Sequence, residues 1–221
     1  MSEVLLATNG PQGIQLIREL FASCYRPDQF FVFTDSGESK QNSCFIQFLD
    51  YYSISYCTSL EQLLEIDSDW LLAISLSCRT IFPKEIICGA KHFINFHPGL
   101  LPDYRGSNST VHAMAAGKKT VGGTWHRLID RVDSGAILRI ITVDVKENDT
   151  AFSLNHKIFS RGIRAVSEVL SSLDSYYGFS NDVEGRFNYS CDFPDLSDHR
   201  IPDHVKQKIY YFPPKFLNYE F

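Results

Sequence analysis

The chain has 221 residues, 44% of them hydrophobic, which suffices for one well-buried core with room for a small appendage. Its formal net charge of −5 argues against a nucleic-acid partner, since that affinity depends on a basic surface and the Gly117-Lys118-Lys119 run is too short to form one. Six cysteines without C-x-x-C spacing, an N-terminus without a signal-peptide pattern, and apolar runs shorter than the roughly 20 residues of a membrane span predict a cytoplasmic chain with buried free thiols and no metal site.

In chain order, EVLLAT (3–8) reads as a short buried strand, NGPQG as a turn, and IQLIRELF (14–21) as a helix with Ile14, Ile17 and Phe21 on one side. QFFVFT (29–34) is a second strand, CFIQFLDYY a helix and SISYC a strand. SLEQLLEI (59–66) is a helix capped by Ser59, with Leu60, Leu63 and Leu64 inward. DWLLAISL is a continuously apolar strand, Pro83 opens a short helix that Gly89 can close, and KHFINF is the next strand. STVHAMAAG then reads as a helix, TVGGTWHRLI and AILRIITVDV as strands joined by DRVDSG, and residues 150–173 as one long helix with Phe152, Ile158, Ile163, Val166 and Leu170 on its apolar side. Strands alternate with helices up to residue 96, and several strands are apolar throughout, as parallel strands covered on both faces are. The predicted fold is therefore α/β, a doubly wound, mostly parallel sheet over residues 1–175. Residues 176–221, rich in Tyr, Phe and Pro and containing YYFPPKF, form a predicted irregular or small β appendage suited to ligand contact or dimerisation.

Ligands of such sheets bind beyond the carboxyl ends of the strands. Asn95 and His97 stand at one such end, in NFHPGLLPDYRGSN, and alternation puts both on one face with Phe96 on the other. Asp133 sits in the RVDSGAIL turn. Together an imidazole that moves a proton, an amide that holds an oxyanion and a carboxylate that orients the imidazole would suit acyl transfer. GxSxG is absent and no cysteine has an evident base, so the nucleophile would come from the substrate. Taken alone, an Asn-x-His at a strand end also serves packing, a D-S-G turn is an ordinary turn, and spacing does not bring the two together.

INFHPGLLPDYRGSN followed by GGTWHRLIDRVDSGAIL closely resembles the folate-dependent formyltransferase family, whose motif runs Asn-x-His-Pro-Ser-Leu-Leu-Pro, then Tyr-Arg-Gly, then a distal Asp-x-Gly turn. The resemblance covers about residues 70–145, with Gly99 in place of the usual Ser. It implies Asn95, His97 and Asp133 as catalytic residues and N10-formyltetrahydrofolate as formyl donor. It also implies a pterin slot bordered by Ser77, Arg79, Thr80, Ile81 and Phe82 on one loop and by Ile129 and Asp130 on the other.

Among acceptors, the acidic balance and short tail oppose a methionyl-tRNA formyltransferase, and the chain looks most similar to amino-sugar N-formyltransferases. That implies a dTDP-linked amino-deoxysugar, foremost dTDP-4-amino-4,6-dideoxyglucose, in the synthesis of a surface polysaccharide such as lipopolysaccharide O-antigen, and a homodimer. Glycinamide ribonucleotide formylation and a non-catalytic folate or nucleotide module are the alternatives. Trp125 and the tail aromatics can stack a base or a hexose. Asn9 and Gly10, before a helix N-terminus, are candidate diphosphate contacts, with Arg105 and Lys215, and Tyr104 and His126 are candidates for the sugar site.

Overall fold

The computed structural model describes residues 3–35, 40–66, 69–175, 178–179, 181, 187–188 and 192–210. In chain order the elements are β1 (Val4–Thr8), α1 (Gly10–Ala22), β2 (Phe30–Phe33), α2 (Lys40–Tyr51), β3 (Ser55–Cys57), α3 (Leu60–Leu64), β4 (Trp70–Leu76), α4 (Lys84–Cys88) and β5 (Ala90–His97). They continue with β6 (Arg105–Gly106), α5 (Ser109–Ala115), β7 (Thr120–Arg127), β8 (Ile137–Asp144), α6 (Ala151–Arg164), α7 (Val166–Ser172), β9 (Phe187–Asn188) and α8 (Asp203–Tyr210). β1 to β5, β7 and β8 form one sheet in the order β3-β2-β1-β4-β5-β7-β8. The first five strands run parallel, and β7 and β8 add an antiparallel edge.

The continuous apolar strands split their side chains between two cores, as a sheet covered on both faces requires. Val4, Leu6, Ile74, Ile94 and Phe96 face one core with α1, α2, α6 and α7. Leu5, Ala7, Ala73 and Phe93 face the other, with Leu63 of α3 and Ile86 of α4. Phe93 therefore assigns the odd-numbered residues of β5, Asn95 and His97 among them, to the α3/α4 side.

Several expectations need correction. The turn expected before the first helix is already helical from Gly10. Ser59 caps α3 by accepting from the Gln62 N–H, but Leu64 lies outside and is 47% exposed. Cys57 is buried and Cys78 half-buried, whereas Cys24, Cys44 and Cys88 are exposed. The long helix is interrupted at Ala165, and Phe152 is exposed. The break falls one turn past Gly162, whose carbonyl accepts the indole N–H of Trp125 at 2.9 Å and the Ala165 N–H at 3.2 Å. Of the expected appendage, residues 203–210 are helical, and Ile209 of α8 is buried in the main core. Lys215, Cys191 and residues 211–216 of the aromatic run lie outside the described residues.

Trp125, expected as a pocket wall, is fully buried. Its ring packs 5.0 Å from that of Phe96, centroid to centroid, because antiparallel pairing sets the two residues opposite each other. α6 presses on the same ring through Gly162, where an added Cβ would lie 2.1 Å from Phe96 Cζ. Gly162→Ala should therefore lower stability by about 1–3 kcal/mol through overpacking. Urea unfolding measures this, and an unchanged midpoint would mean that Phe96 has room to retreat.

Candidate active site

Strand register builds the site. In the β5–β7 pair Asn95 stands opposite His126 and His97 opposite Thr124, so all four share one face at the carboxyl end of β5. The β7–β8 register shifts between Trp125 and His126, leaving Leu138 of β8 as the extra residue opposite this point. Beyond β7 the chain returns through a turn in which Asp133 adopts φ 50°, a left-handed conformation that Asp tolerates better than most residues. Gly135 lets that turn pack on β7, since a Cβ there would lie 1.8 Å from the Arg127 carbonyl oxygen.

The structure thus brings together Asn95, His97 and Asp133, which spacing alone left apart. Asp133 Oδ2 lies 3.2 Å from His97 Nδ1 and accepts the Gly106 N–H at 2.8 Å, and Oδ1 lies 3.5 Å from His126 Nε2. His97, His126 and Asp133 are all nine-tenths or more buried. The Arg127 carbonyl can only accept, so His126 Nδ1–H donates to it at 2.9 Å and, in the neutral ring, leaves Nε2 to accept from Asn95 Nδ2 at 3.0 Å. This contact holds the Asn95 amide and leaves its second N–H without a partner among the described residues.

Burial alone would raise the Asp133 pKa. The imidazoles of His97 and His126 and the Gly106 N–H outweigh it and hold the carboxyl at about 2. For His97 burial dominates and lowers the pKa, with Asp133 and the Tyr104 carbonyl opposing and His126 adding to the fall. The pocket thus holds a fixed anion beside an imidazole that can exchange a proton.

Sequence reasoning did not place His126 on Asn95 or give a role to Ser109, whose hydroxyl reaches His97 Nε2 at 3.1 Å. The alternation Asn95-Phe96-His97 against Thr124-Trp125-His126 was a usable signal for His126 once the strands are paired. Among the described residues no group of three or more His, Cys, Asp or Glu could hold a metal ion, and no helix is long and apolar enough to cross a membrane.

The expected ligand contacts divide. The Phe82 side chain is buried against Phe33 and Phe93, which leaves its backbone as the part that can border a slot. The backbone N–H groups of Arg79 and Thr80 donate to Asp35 Oδ2 at 2.7 and 2.9 Å, and the Ser77 carbonyl accepts from Asn9 Nδ2 at 2.8 Å. Ile81 and Ile129 are exposed, and Asp130 makes an exposed ion pair with Lys84 of α4 at 3.4 Å. Asn9 and Gly10 are corrected as diphosphate contacts, because the Asn9 amide bonds Asp35, Ser77 and Thr34, and the Gly10 N–H donates to Asn42 Oδ1 at 3.0 Å. Arg105 is corrected too, since the residue is 3% exposed and its guanidinium donates to the Asn181 backbone and side-chain oxygens. Tyr104 is half-buried and contributes its carbonyl to His97.

The model of the formyl transferase family matches residues 60–170, half of the chain. The chain belongs to this family. It is 38% identical over 104 residues to GDP-perosamine N-formyltransferase of Brucella melitensis, a match covering 47% of this chain and 40% of that protein. The chain thus spans about two fifths of the length of this curated relative. The fold is that of an N-formyltransferase from Helicobacter canadensis solved in complex with folinic acid and dTDP-3-aminofucose, at TM-score 0.74 and 19% identity over 86% of this chain and 71% of that one. It is equally that of a 4-N formyltransferase from Francisella tularensis, at TM-score 0.73 and 18% identity over 93% and 87%.

The carboxylate gives a pH signature. Its folded pKa of about 2 lies below the ordinary 3.8, so its contribution is full above pH 3.8 and disappears as pH falls through 2. Wild-type stability should drop between those values by on the order of 2 kcal/mol more than that of Asp133→Asn. Equal slopes in urea titrations across the window would show that Asp133 is not held as an anion.

Proposed function

We propose that this chain transfers the formyl group of N10-formyltetrahydrofolate to the amine of a nucleotide-linked amino sugar. The observation that carries this reading is the meeting of Asn95, His97 and Asp133 at the carboxyl end of β5, in a chain of the formyl transferase family. The bordering loops suit a flat donor, because Ile81, Ile129 and Val132 offer exposed apolar side chains beside the site. When bound, the folate supplies a formyl group on a nitrogen that can leave. The chain does the rest. Asn95, fixed by His126, uses its second N–H to hold the negative charge that builds on the carbonyl oxygen under attack. His97, as the imidazolium, donates a hydrogen bond to the same oxygen. Asp133 balances the imidazolium and relays the proton that the attacking amine must lose, directly or through water, toward the nitrogen that leaves as its bond to the formyl carbon breaks. Burial strengthens each of these interactions.

dTDP-4-amino-4,6-dideoxyglucose is the first acceptor we propose, for a cytoplasmic step in making a surface polysaccharide such as O-antigen, by a homodimer. GDP-perosamine is the second, favoured by the relative at 38% identity. With the folate donor present, release of tetrahydrofolate is expected with either sugar. Release with glycinamide ribonucleotide alone would overturn the sugar acceptor, and release with none of the three would overturn the reaction. Asn95→Ala should reduce kcat about 10²–10³-fold. His97→Ala should abolish turnover with the fold intact, and a fully active His97→Ala protein would refute the assignment.

A further inference from the structure

Asp133 has φ 50°, a left-handed conformation that lasts where the surroundings over-determine it. Within its turn, the Ser134 N–H donates to the Arg131 carbonyl at 3.3 Å and the Ser134 hydroxyl to the Val132 carbonyl at 3.0 Å, which folds the turn on itself. A hold from outside comes from Asn181, which is buried. Its Nδ2 donates to the Asp133 carbonyl at 2.9 Å and to the Gly135 carbonyl at 3.1 Å. One nitrogen thus directs its two hydrogens to two carbonyls of the same turn. Main-chain pairing delivers it there: Phe179, two residues earlier, exchanges N–H···O bonds with Ile137 of β8 at 2.8 and 2.9 Å. The acceptor end of the amide is engaged as well. Arg105 Nη2 donates to Asn181 Oδ1 at 3.1 Å and to the Asn181 main-chain oxygen, while Arg105 Nε is buried without a partner. A buried donor left unpaired is costly, and such an exception calls for a role. The residue after Arg105 is Gly106, whose N–H donates to Asp133 Oδ2 at 2.8 Å. The bonds close a ring: Gly106 holds the Asp133 carboxylate, Arg105 holds Asn181, and Asn181 holds the Asp133 carbonyl.

We propose that Asn181 is a positioning residue for Asp133, gripping the main chain of the turn so that the carboxylate meets His97 Nδ1. This rests on the reading of Asp133 and His97 as partners in formyl transfer. Without the grip, the backbone at Asp133 relaxes toward negative φ, its Cβ swings, and the carboxylate leaves its 3.2 Å contact with Nδ1. The side chain required is specific. Aspartate in place of Asn181 would set an oxygen against two carbonyls, and leucine would fill the space but release the turn. The Nδ1 proton of His97 reports the outcome. The Tyr104 carbonyl, an acceptor 2.6 Å from Nε2, keeps a proton on that nitrogen, so the proton that His97 gains and loses is the one on Nδ1, against Asp133. The groups facing the ring are Asp133 from the turn, His126 from β7, and the Tyr104 carbonyl and Ser109 hydroxyl from the loop and α5. Of these, Asp133 is the anion that favours the imidazolium, so moving it away lowers the titration midpoint of His97.

The test is a pH titration of His97 by ¹⁵N NMR in the whole protein, with its signals among the 7 histidines assigned by loss in His97→Gln. Asn181→Leu should lower the midpoint by about one pH unit or more. With formyl donor and amino sugar supplied, kcat should fall on the order of 10²-fold, as misplacement of a reacting group does, with the KM for the donor nearly unchanged. Arg105→Lys, which keeps the charge and loses the fork, should shift the midpoint the same way by less. Gly162→Ala, whose strain lies in the core, should leave the midpoint in place. An unchanged midpoint in folded Asn181→Leu would overturn the proposal, and so would an equal fall in Gly162→Ala, which would mark a general loss of stability. The wild type supplies a test that needs no variant to fold: the side-chain amide protons of Asn181 should exchange slowly with heavy water, and exchange as fast as that of an exposed asparagine would also overturn the proposal. Because these readouts are spectroscopic, a chain without formyl transfer activity but with the expected midpoint shift would refute the function above and leave this inference standing.

Discussion

A carboxylate that stays charged with only 9% of its residue exposed must find donors inside the protein, and the Asp133 carboxylate sets this demand on everything around it. Its surroundings come from separate pieces of chain: an imidazole at the end of β5, a backbone N–H from the loop strand β6 that donates to it, and a second imidazole on β7 3.5 Å away. None of these pieces can shift without leaving a buried charge uncompensated. The demand therefore fixes the register of β5 against β7, the path of the loop from Pro98 to Asn108, and the left-handed turn at Asp133 itself.

A second ring of contacts holds the first. Thr124, opposite His97, accepts the Leu101 N–H and donates to the Gly99 carbonyl, so the loop is fastened where it leaves the strand. Farther on, Arg105 donates to Asn181, and Asn181 in turn donates to the carbonyls of Asp133 and Gly135 at 2.9 and 3.1 Å. A residue beyond the long helices thus locks both sides of the site. The pairing of β6 with β9 continues this, and Gly106 permits it, since a Cβ there would lie 2.1 Å from the Asn188 oxygen. The C-terminal segment is consequently part of the machinery that shapes the pocket.

Much of this was legible in the sequence, for identifiable reasons. Parallel strands buried on both faces spell continuous apolar runs, so the alternation of β1 to β5 with helices could be read directly. Asn95 and His97 share a face by strand geometry alone. What escaped depends on contacts distant in sequence. Spacing cannot bring Asp133 to His97, and the family motif did so only by resemblance. Trp125 was misplaced because an aromatic residue type does not say which face of its element it occupies; the core on the Phe96 side of the sheet claimed it. Arg105 looked like a phosphate contact because charge was read without burial. Asp35, which organises the loop after β4, carried no sequence signal, since its backbone and side-chain partners lie 26 to 45 residues away along the chain.

That last carboxylate has a consequence for where ligands can sit. The crevice between the carboxyl ends of β1 and β4, where the strand order reverses, is the usual seat for phosphate in a sheet of this kind. Here it has a permanent tenant. Asp35 draws in the amides of Arg79 and Thr80, the Thr80 hydroxyl and the Asn9 side chain, and these contacts outweigh the penalty of its burial and keep it ionised. An incoming diphosphate would meet like charge and find the amides already spent. The protein's own carboxylate thus occupies the anion position at this crevice.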